Sequence, residues 1–189
     1  MSRQWANVLA EHGEVIANLA TQGDVIERII DALVGALRGG RRIYVFGNGG
    51  SAADAQHIAA EFIGRFKRNR AALPAVALTT DTSALTAISN DLSFEQCFSR
   101  QVEGLVQRGD VVWALSTSGN SPNILEALRV ANERGAVVIG FTGAGGDKLA
   151  QMCTHALRVS HTSSDRIQEG HVLAYHYVCE RVDEVFAGA

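Results

Sequence analysis

Three short apolar runs in this chain each end in a glycine-rich turn, and a helical pattern follows the first two. Ile43–Phe46 leads into GNGGS at 47–51, Val111–Leu115 into STSGNS at 116–121, and Val137–Phe141 into TGAGGDK at 142–148. Runs of this length, rich in Val, Ile and aromatics and bounded by turn formers, read as buried strands. Two further runs, 75–78 and 156–159, bring the strands to five. Apolar residues recur at helical spacing over 51–66, 94–106, 122–134 and 165–187, with Ser51 as a candidate N-cap and Pro122 in a first turn. Strands alternating with helices predict an α/β fold: three layers, doubly wound, around a mainly parallel five-stranded sheet. Ligands bind such sheets where the carboxyl ends of the strands open into loops, and all three glycine clusters fall at that edge.

Residues 2–39 precede the first strand and read as two helices broken at Gly23-Asp24. Trp5, Val8, Leu9, Val15, Ile16 and Leu19 form one apolar stripe; Val25, Ile26, Ile29, Ile30, Leu33 and Leu37 form the next. These helices are not crossovers. Their stripes bury either on their own domain or on another subunit, and the sequence leaves both open. The 189 residues fit one domain, 1–189, with N-terminal helices over 1–39 and an α/β core over 40–189. The 17 basic and 20 acidic residues leave a net charge of −3, which argues against a nucleic-acid surface. No stretch of 18 apolar residues offers a membrane span, and Glu11 and Glu14 interrupt the N-terminus too early for a signal peptide. Three widely spaced cysteines, an odd number, suit a reducing, cytoplasmic setting.

The loops favour an anion. GNGGSA carries glycines at 47 and 49 and Ala52 in the third place of a dinucleotide fingerprint. That fingerprint expects an acidic residue about 20 positions on, yet 65–80 contain none, so a nicotinamide cofactor is disfavoured. STSGNS gathers Ser116, Thr117, Ser118 and Ser121 ahead of a helix that starts at Pro122. Hydroxyls above a helix N-terminus hold a phosphate through hydrogen bonds and the helix dipole without added charge. The plainer alternative is that Ser118 and Ser121 only cap the helix.

Two helices carry groups with metal-ligand spacing. His57 and Glu61 are four apart and share a face, with Asp54 and Arg65 on the same helix. The last helix carries Gln168, His171 and His176. Taken alone, His57 and Glu61 read as a surface pair, His171 as a surface group, and His176 as a core histidine. Asp165 with Gln168 makes a passable capping box. Lys67, Arg68 and Arg70 read as a solvated loop, whereas Arg65, one turn past Glu61, is better placed to face a ligand.

Together, GNGGSAADAQHIAAEF, TDTSALTAISND, STSGNSPNIL and RIQEGHVLAYH resemble the phosphoheptose isomerases, members of the sugar-isomerase (SIS) fold, over about Asn7 to Val185. The resemblance implies conversion of sedoheptulose 7-phosphate into D-glycero-D-manno-heptose 7-phosphate for bacterial surface glycans such as lipopolysaccharide. It implies one bound zinc (Zn2+) per subunit and a homotetramer with sites shared between subunits. By position, the metal ligands are His57, Glu61, Gln168 and His176, and the acid–base pair is Glu61 and His176. Substrate contacts fall on Asn48, Gly49, Gly50, Ser51, Glu61, Arg65, Asn90, Asp91, Ser116, Thr117, Ser118, Ser121 and Gln168. On one straight helix, Gln168 and His176 stand about 12 Å apart along the axis. One ion reaches both more easily if they come from different subunits or if the helix's first turn is displaced.

Two rivals share the fold. A replication-initiator-associating protein is a non-enzymatic SIS-domain binding module, and by resemblance it lacks the acid–base pair present here as Glu61 and His176. Sugar-phosphate-sensing SIS domains of regulators carry a DNA-binding domain, for which no room is expected before residue 40.

Overall fold

Five strands, each followed or preceded by helix, set the frame. The computed structural model describes residues 4–187, so positions 2 and 3 of the expected N-terminal helix lie outside the described residues. Two helices come first, α1 (Trp5–Leu19) and α2 (Gly23–Arg38), joined by one 3-10 turn at Ala20–Gln22. The expected break at Gly23 is therefore a tightened turn, with Asp24 placed in the first turn of α2 where the helix dipole favours it. The core then runs β1 (Ile43–Gly47), α3 (Gly50–Ile63), β2 (Ala75–Ala77), α4 (Thr82–Asp91), α5 (Ser99–Leu105) and β3 (Val111–Ser116). It ends with α6 (Pro122–Glu133), β4 (Val137–Gly143), α7 (Asp147–Gln151), β5 (His155–Val159) and α8 (Ser164–Phe186).

The sheet has the order β2-β1-β3-β4-β5, and every pairing is parallel. Alternate side chains of each strand enter different layers, as a period of two requires. Ile43, Val45, Val111, Trp113, Leu115, Ile139 and Phe141 face a core shared with α1, α2, α3 and α8. Tyr44, Phe46, Val112, Ala114 and Val138 face the opposite core, closed by α5, α6 and α7. Reversal of strand order beside β1 creates the crevice, and the loops after β1, β3 and β4 open onto the same carboxyl edge.

Several helix boundaries differ from the periodicity. Gly49, at φ 57°, is the N-cap of α3, so Ser51 lies inside the first turn and is not the cap. The expected helix over 94–106 is a 3-10 turn at Phe94–Gln96 and then α5. Helix α4 buries none of its residues and so leaves little apolar period in the sequence; its N-cap Asp81 accepts a hydrogen bond from the Ala84 N–H at 2.9 Å. The single-turn α7 is too short to show a period. Gly170 has a packing reason: a methyl there would stand 2.9 Å from Val159 Cγ2, so its absence lets α8 lie close on β5.

The two N-terminal stripes fare differently. Ile29, Ile30, Leu33 and Leu37 of α2 are buried within this chain, whereas on α1 only Val15 and Leu19 are. Trp5 and Leu9 remain 71% and 51% exposed.

Candidate active site

The hydroxyl loop is shaped by one glycine. Gly119 has a φ of 64°, which an L-residue rarely adopts, and a methyl on it would fall 2.4 Å from Gly146 Cα. The loops 116–121 and 142–148 thus close against each other. Buried Ser116 accepts the Gly119 N–H through Oγ at 3.1 Å, and Ser121 precedes Pro122 as the N-cap of α6 with no side-chain capping bond. The capping role considered for Ser121 is therefore not made, and its hydroxyl is left to the crevice. Asn48, Ser51, Ser116, Thr117, Ser118 and Ser121 line one small polar pit. The amides of Asn48 and Asn123 bond each other reciprocally at 2.9 Å, and Asn123 Nδ2 also reaches Cys97 Sγ at 3.4 Å. Asn123, missed in the sequence because it reads as an ordinary helix residue, thereby fixes which face Asn48 turns to the pit.

The second group lies where α3 meets α8. Asp54, His57 and Glu61 share one face of α3. His57 Nε2 lies 3.0 Å from Glu61 Oε1 and 3.4 Å from His176 Nε2 of α8. Ligand atoms of His57, Glu61 and His176 all fall within 4.8 Å of one another. Two imidazoles and a carboxylate form a donor set that suits a zinc-type ion. His176 is half-buried rather than a core residue, and its ring packs edge-on against His57 and Tyr175. Burial lowers the His176 pKa, and the neighbouring His57 lowers it further, so its imidazole is held toward the neutral, electron-pair-donating form.

Gln168 is anchored by the neighbouring carboxylate. On α8, which is one continuous helix, its Nε2 donates to Asp54 Oδ2 at 2.7 Å. A methyl at Gly50 would stand 2.5 Å from that same nitrogen, so the glycine of the first loop makes room for Gln168. No displaced first turn is present in α8. Its N-cap is Ser163, and the Ser163 hydroxyl and Arg166 N–H both bond Asp165, in place of the expected Asp165–Gln168 box.

Burial raises the Asp54 pKa although Gln168 and Tyr175 bond its carboxyl. Tyr175, 1% exposed, reaches Asp54 Oδ1 at 3.4 Å and His57 Nδ1 at 3.1 Å. Burial and the Asp54 charge push its phenol pKa up, so it stays protonated.

Other expected residues lie outside these two groups. Arg65 follows the end of α3, is exposed, and bonds Asn69 at 3.0 Å. The break at Gly64 means that Arg65 is not one helical turn past Glu61. Asn90 and Asp91, at the end of α4, bond each other at 2.8 Å on an exposed surface. Arg70 departs from the solvated-loop reading. Its guanidinium meets Asp183 at 2.7 Å, the two side chains being 2% and 1% exposed, and it also donates to the Glu61 and Phe62 carbonyls. His171 is fully buried, with Nε2 3.2 Å from the Thr142 carbonyl, and is no surface group.

A parallel sheet with a hydroxyl pit at its switch point and an imidazole–carboxylate cluster beside it describes a sugar-isomerase class of fold, and the SIS domain family model matches residues 8–143. Within that class the chain belongs to the phosphoheptose isomerase family. It is 51% identical over 181 residues to a phosphoheptose isomerase of Bradyrhizobium sp. (strain ORS 278), covering 94% of this chain and 91% of that one. A solved phosphoheptose isomerase from Neisseria gonorrhoeae superposes with a TM-score of 0.89 at 43% identity, covering 95% of this chain and 96% of that one. One from Francisella tularensis gives 0.91 at 33% identity with the same coverage.

Proposed function

We propose that the chain is an aldose–ketose isomerase converting sedoheptulose 7-phosphate into D-glycero-D-manno-heptose 7-phosphate. The observation that carries this reading is the placing of two groups along one helix. Ser51 lines the hydroxyl pit and His57 lies six residues on, about 9 Å along the axis of α3. A seven-carbon sugar phosphate can rest its phosphate in the pit and lay its C1–C2 end beside His57, Glu61 and His176. The family relatives named above support the same substrate class.

In this reading the Glu61 carboxylate takes a proton from C1 of the ketose. The C–H electron pair becomes the C1–C2 double bond of an enediol as the C2 oxygen accepts a proton from His176. Collapse reverses the pattern: the proton returns to C2, and the O1 hydroxyl proton passes to His176 as the aldehyde forms. Both steps balance without a redox partner. His57, Glu61 and His176, with Gln168 as a further oxygen donor, would hold zinc, which supplies polarisation of the carbonyl when bound. Glu61 would thus be both the base and one of the groups that hold the ion.

We also assign Asn48, Gly49, Gly50 and the hydroxyls of 116–121 to phosphate and sugar contacts, and Arg65, Asn90 and Asp91 to contacts completed in a homotetramer with shared sites. Exposed Trp5, Leu9, Leu173 and Tyr177 support such assembly. A cytoplasmic setting is supported by three free cysteines. No described helix is long and apolar enough to cross a membrane.

The deciding experiment supplies purified protein with sedoheptulose 7-phosphate before and after a strong chelator. Turnover that is lost on chelation and restored by zinc is expected. A protein that leaves the substrate unconverted in the presence of zinc returns the reading to the non-enzymatic binding module.

A further inference from the structure

Asp54 is not one of the three clustered groups, yet of the residues proposed to hold the ion Gln168 leans on it directly and His57 through Tyr175. One carboxylate oxygen accepts from Gln168 Nε2 at 2.7 Å, and the other from the Tyr175 hydroxyl at 3.4 Å. Asp54 is 7% exposed and Tyr175 1%, so water does not compete freely for either group. A carboxylate only accepts, and Tyr175 has one proton to give. With that proton on Asp54, the phenol oxygen is left to accept, and the group before it is His57 Nδ1 at 3.1 Å. His57 that donates to this oxygen from Nδ1 leaves the lone pair for an ion on Nε2. That is the atom facing Glu61 at 3.0 Å and His176 at 3.4 Å.

We infer that Asp54 is a positioning residue for the metal centre: through Tyr175 it sets the His57 tautomer, and directly it sets which face of the Gln168 amide turns away from it. The inference rests on the metal reading of the previous section. Ligating histidines characteristically pass their second N–H to an outer acceptor, which orients the ring and strengthens it as a donor; here a buried tyrosine carries that link to the carboxylate. Gly50 belongs to the same device, since any side chain there would collide with the Gln168 amide that Asp54 holds.

Asp54→Asn is the discriminating change because it keeps shape and removes one acceptor. An asparagine can give its oxygen to only one neighbour. If it accepts from Gln168, its NH2 faces Tyr175, whose proton then turns to His57 Nδ1 and moves the histidine proton to Nε2. If it accepts from Tyr175, its NH2 forces the Gln168 amide to flip. One ligand is misdirected either way.

Zinc affinity of the whole chain, read by competition with a chromophoric chelator, tests this without turnover. Asp54→Asn should bind zinc about 10- to 100-fold more weakly and Tyr175→Phe roughly tenfold more weakly. In the double variant the Tyr175→Phe change should cost less than it does alone, because both act on one chain of bonds. Cobalt(II) absorption of both single variants should depart from that of the parent, whereas a purely structural role would leave the spectrum of the bound ion unmoved. Circular dichroism confirms folding, and Tyr175→Phe, which keeps the ring in its core, stands as the second variant should Asp54→Asn unfold. A parent chain that takes up no zinc, or uptake indifferent to His57→Ala, overturns the metal reading itself. Tight, His57-dependent binding that stays within twofold in Asp54→Asn and Tyr175→Phe, with unchanged cobalt spectra, overturns the positioning role alone.

Discussion

His171 and His176 stand five residues apart on α8 and meet opposite surroundings. His176 faces the carboxyl-edge crevice and His57, whereas His171 is sealed against Phe141 and the Thr142 carbonyl. Burial lowers the pKa of His171 to about 4, with the Thr142 hydrogen bond opposing the shift only in part. Its unfolded value is near 6.5. As pH falls below 6.5 the unfolded chain gains this proton first, so stability is lost between about 6.5 and 4 and levels off below. The slope is on the order of 1 kcal/mol per pH unit. Urea unfolding at several pH values should show it in the parent and not in His171→Gln; parallel curves for the two would refute the linkage. At His176 and Glu61 the expected effect is on chemistry instead. Glu61→Gln and His176→Gln should each lower turnover of sedoheptulose 7-phosphate at least ~100-fold with the fold intact. An active Glu61→Gln protein contradicts the assignment. From the sequence His171 reads as a surface group and His176 as a core residue; packing reverses the order, because periodicity gives a helix face and not what covers it.

At the scale of elements, the segment after α3 is held by the buried Arg70–Asp183 pair. The two backbone N–H groups of Lys67 and Arg68 donate to Asp183 Oδ2, and Arg70 donates to the carbonyls of Glu61 and Phe62. Burial works to raise the Asp183 pKa, but those N–H groups and the Arg70 guanidinium outweigh it and hold the carboxyl ionised. Asp183→Ala leaves a buried guanidinium without its partner and should cost about 3–5 kcal/mol in denaturant unfolding. A cost below ~1 kcal/mol would show that the guanidinium finds water. Because the pair grips the last turn of α3, loosening it should also disturb Glu61. The sequence offered Lys67, Arg68 and Arg70 as a charge run, and its partner lies more than a hundred residues away, where no local pattern reaches. By contrast, β1, β3 and β4 were legible within two residues, since a buried strand leaves a continuous apolar run bounded by glycine. Elements α4 and α7 were not, the first because none of its residues is buried within the chain, the second because one turn has no period.

For the whole molecule, the surface of α1 and α8 bears on assembly. A groove of about 720 Å3 runs between them, lined by His12, Ile16, Val172 and Leu173 and reaching Gln168 and His176. Exposed apolar side chains beside a candidate active site fit a site finished by another subunit. Leu173→Glu should shift the protein to smaller species in sedimentation velocity and lower zinc affinity and turnover together. A smaller species with full zinc affinity and full turnover would mean that each chain carries a complete site.

The sequence by itself determined the strand–glycine-loop–helix alternation, the parallel sheet, the edge on which the site lies and, through motif resemblance, the family. These follow from local chemistry: strand burial, turn geometry and residue spacing along one helix. The resemblance already assigned His57, Glu61 and His176 to one ion; only the tertiary structure decided that Gln168 and Tyr175 meet on Asp54, that Asn123 sets Asn48, and that Arg70 is buried against Asp183. Each of those pairings joins elements distant in the chain; all but one depend on how α8 packs against α3 and the segment after it, and Asn48 with Asn123 on how α6 meets the loop after β1, which no repeat within any one segment encodes.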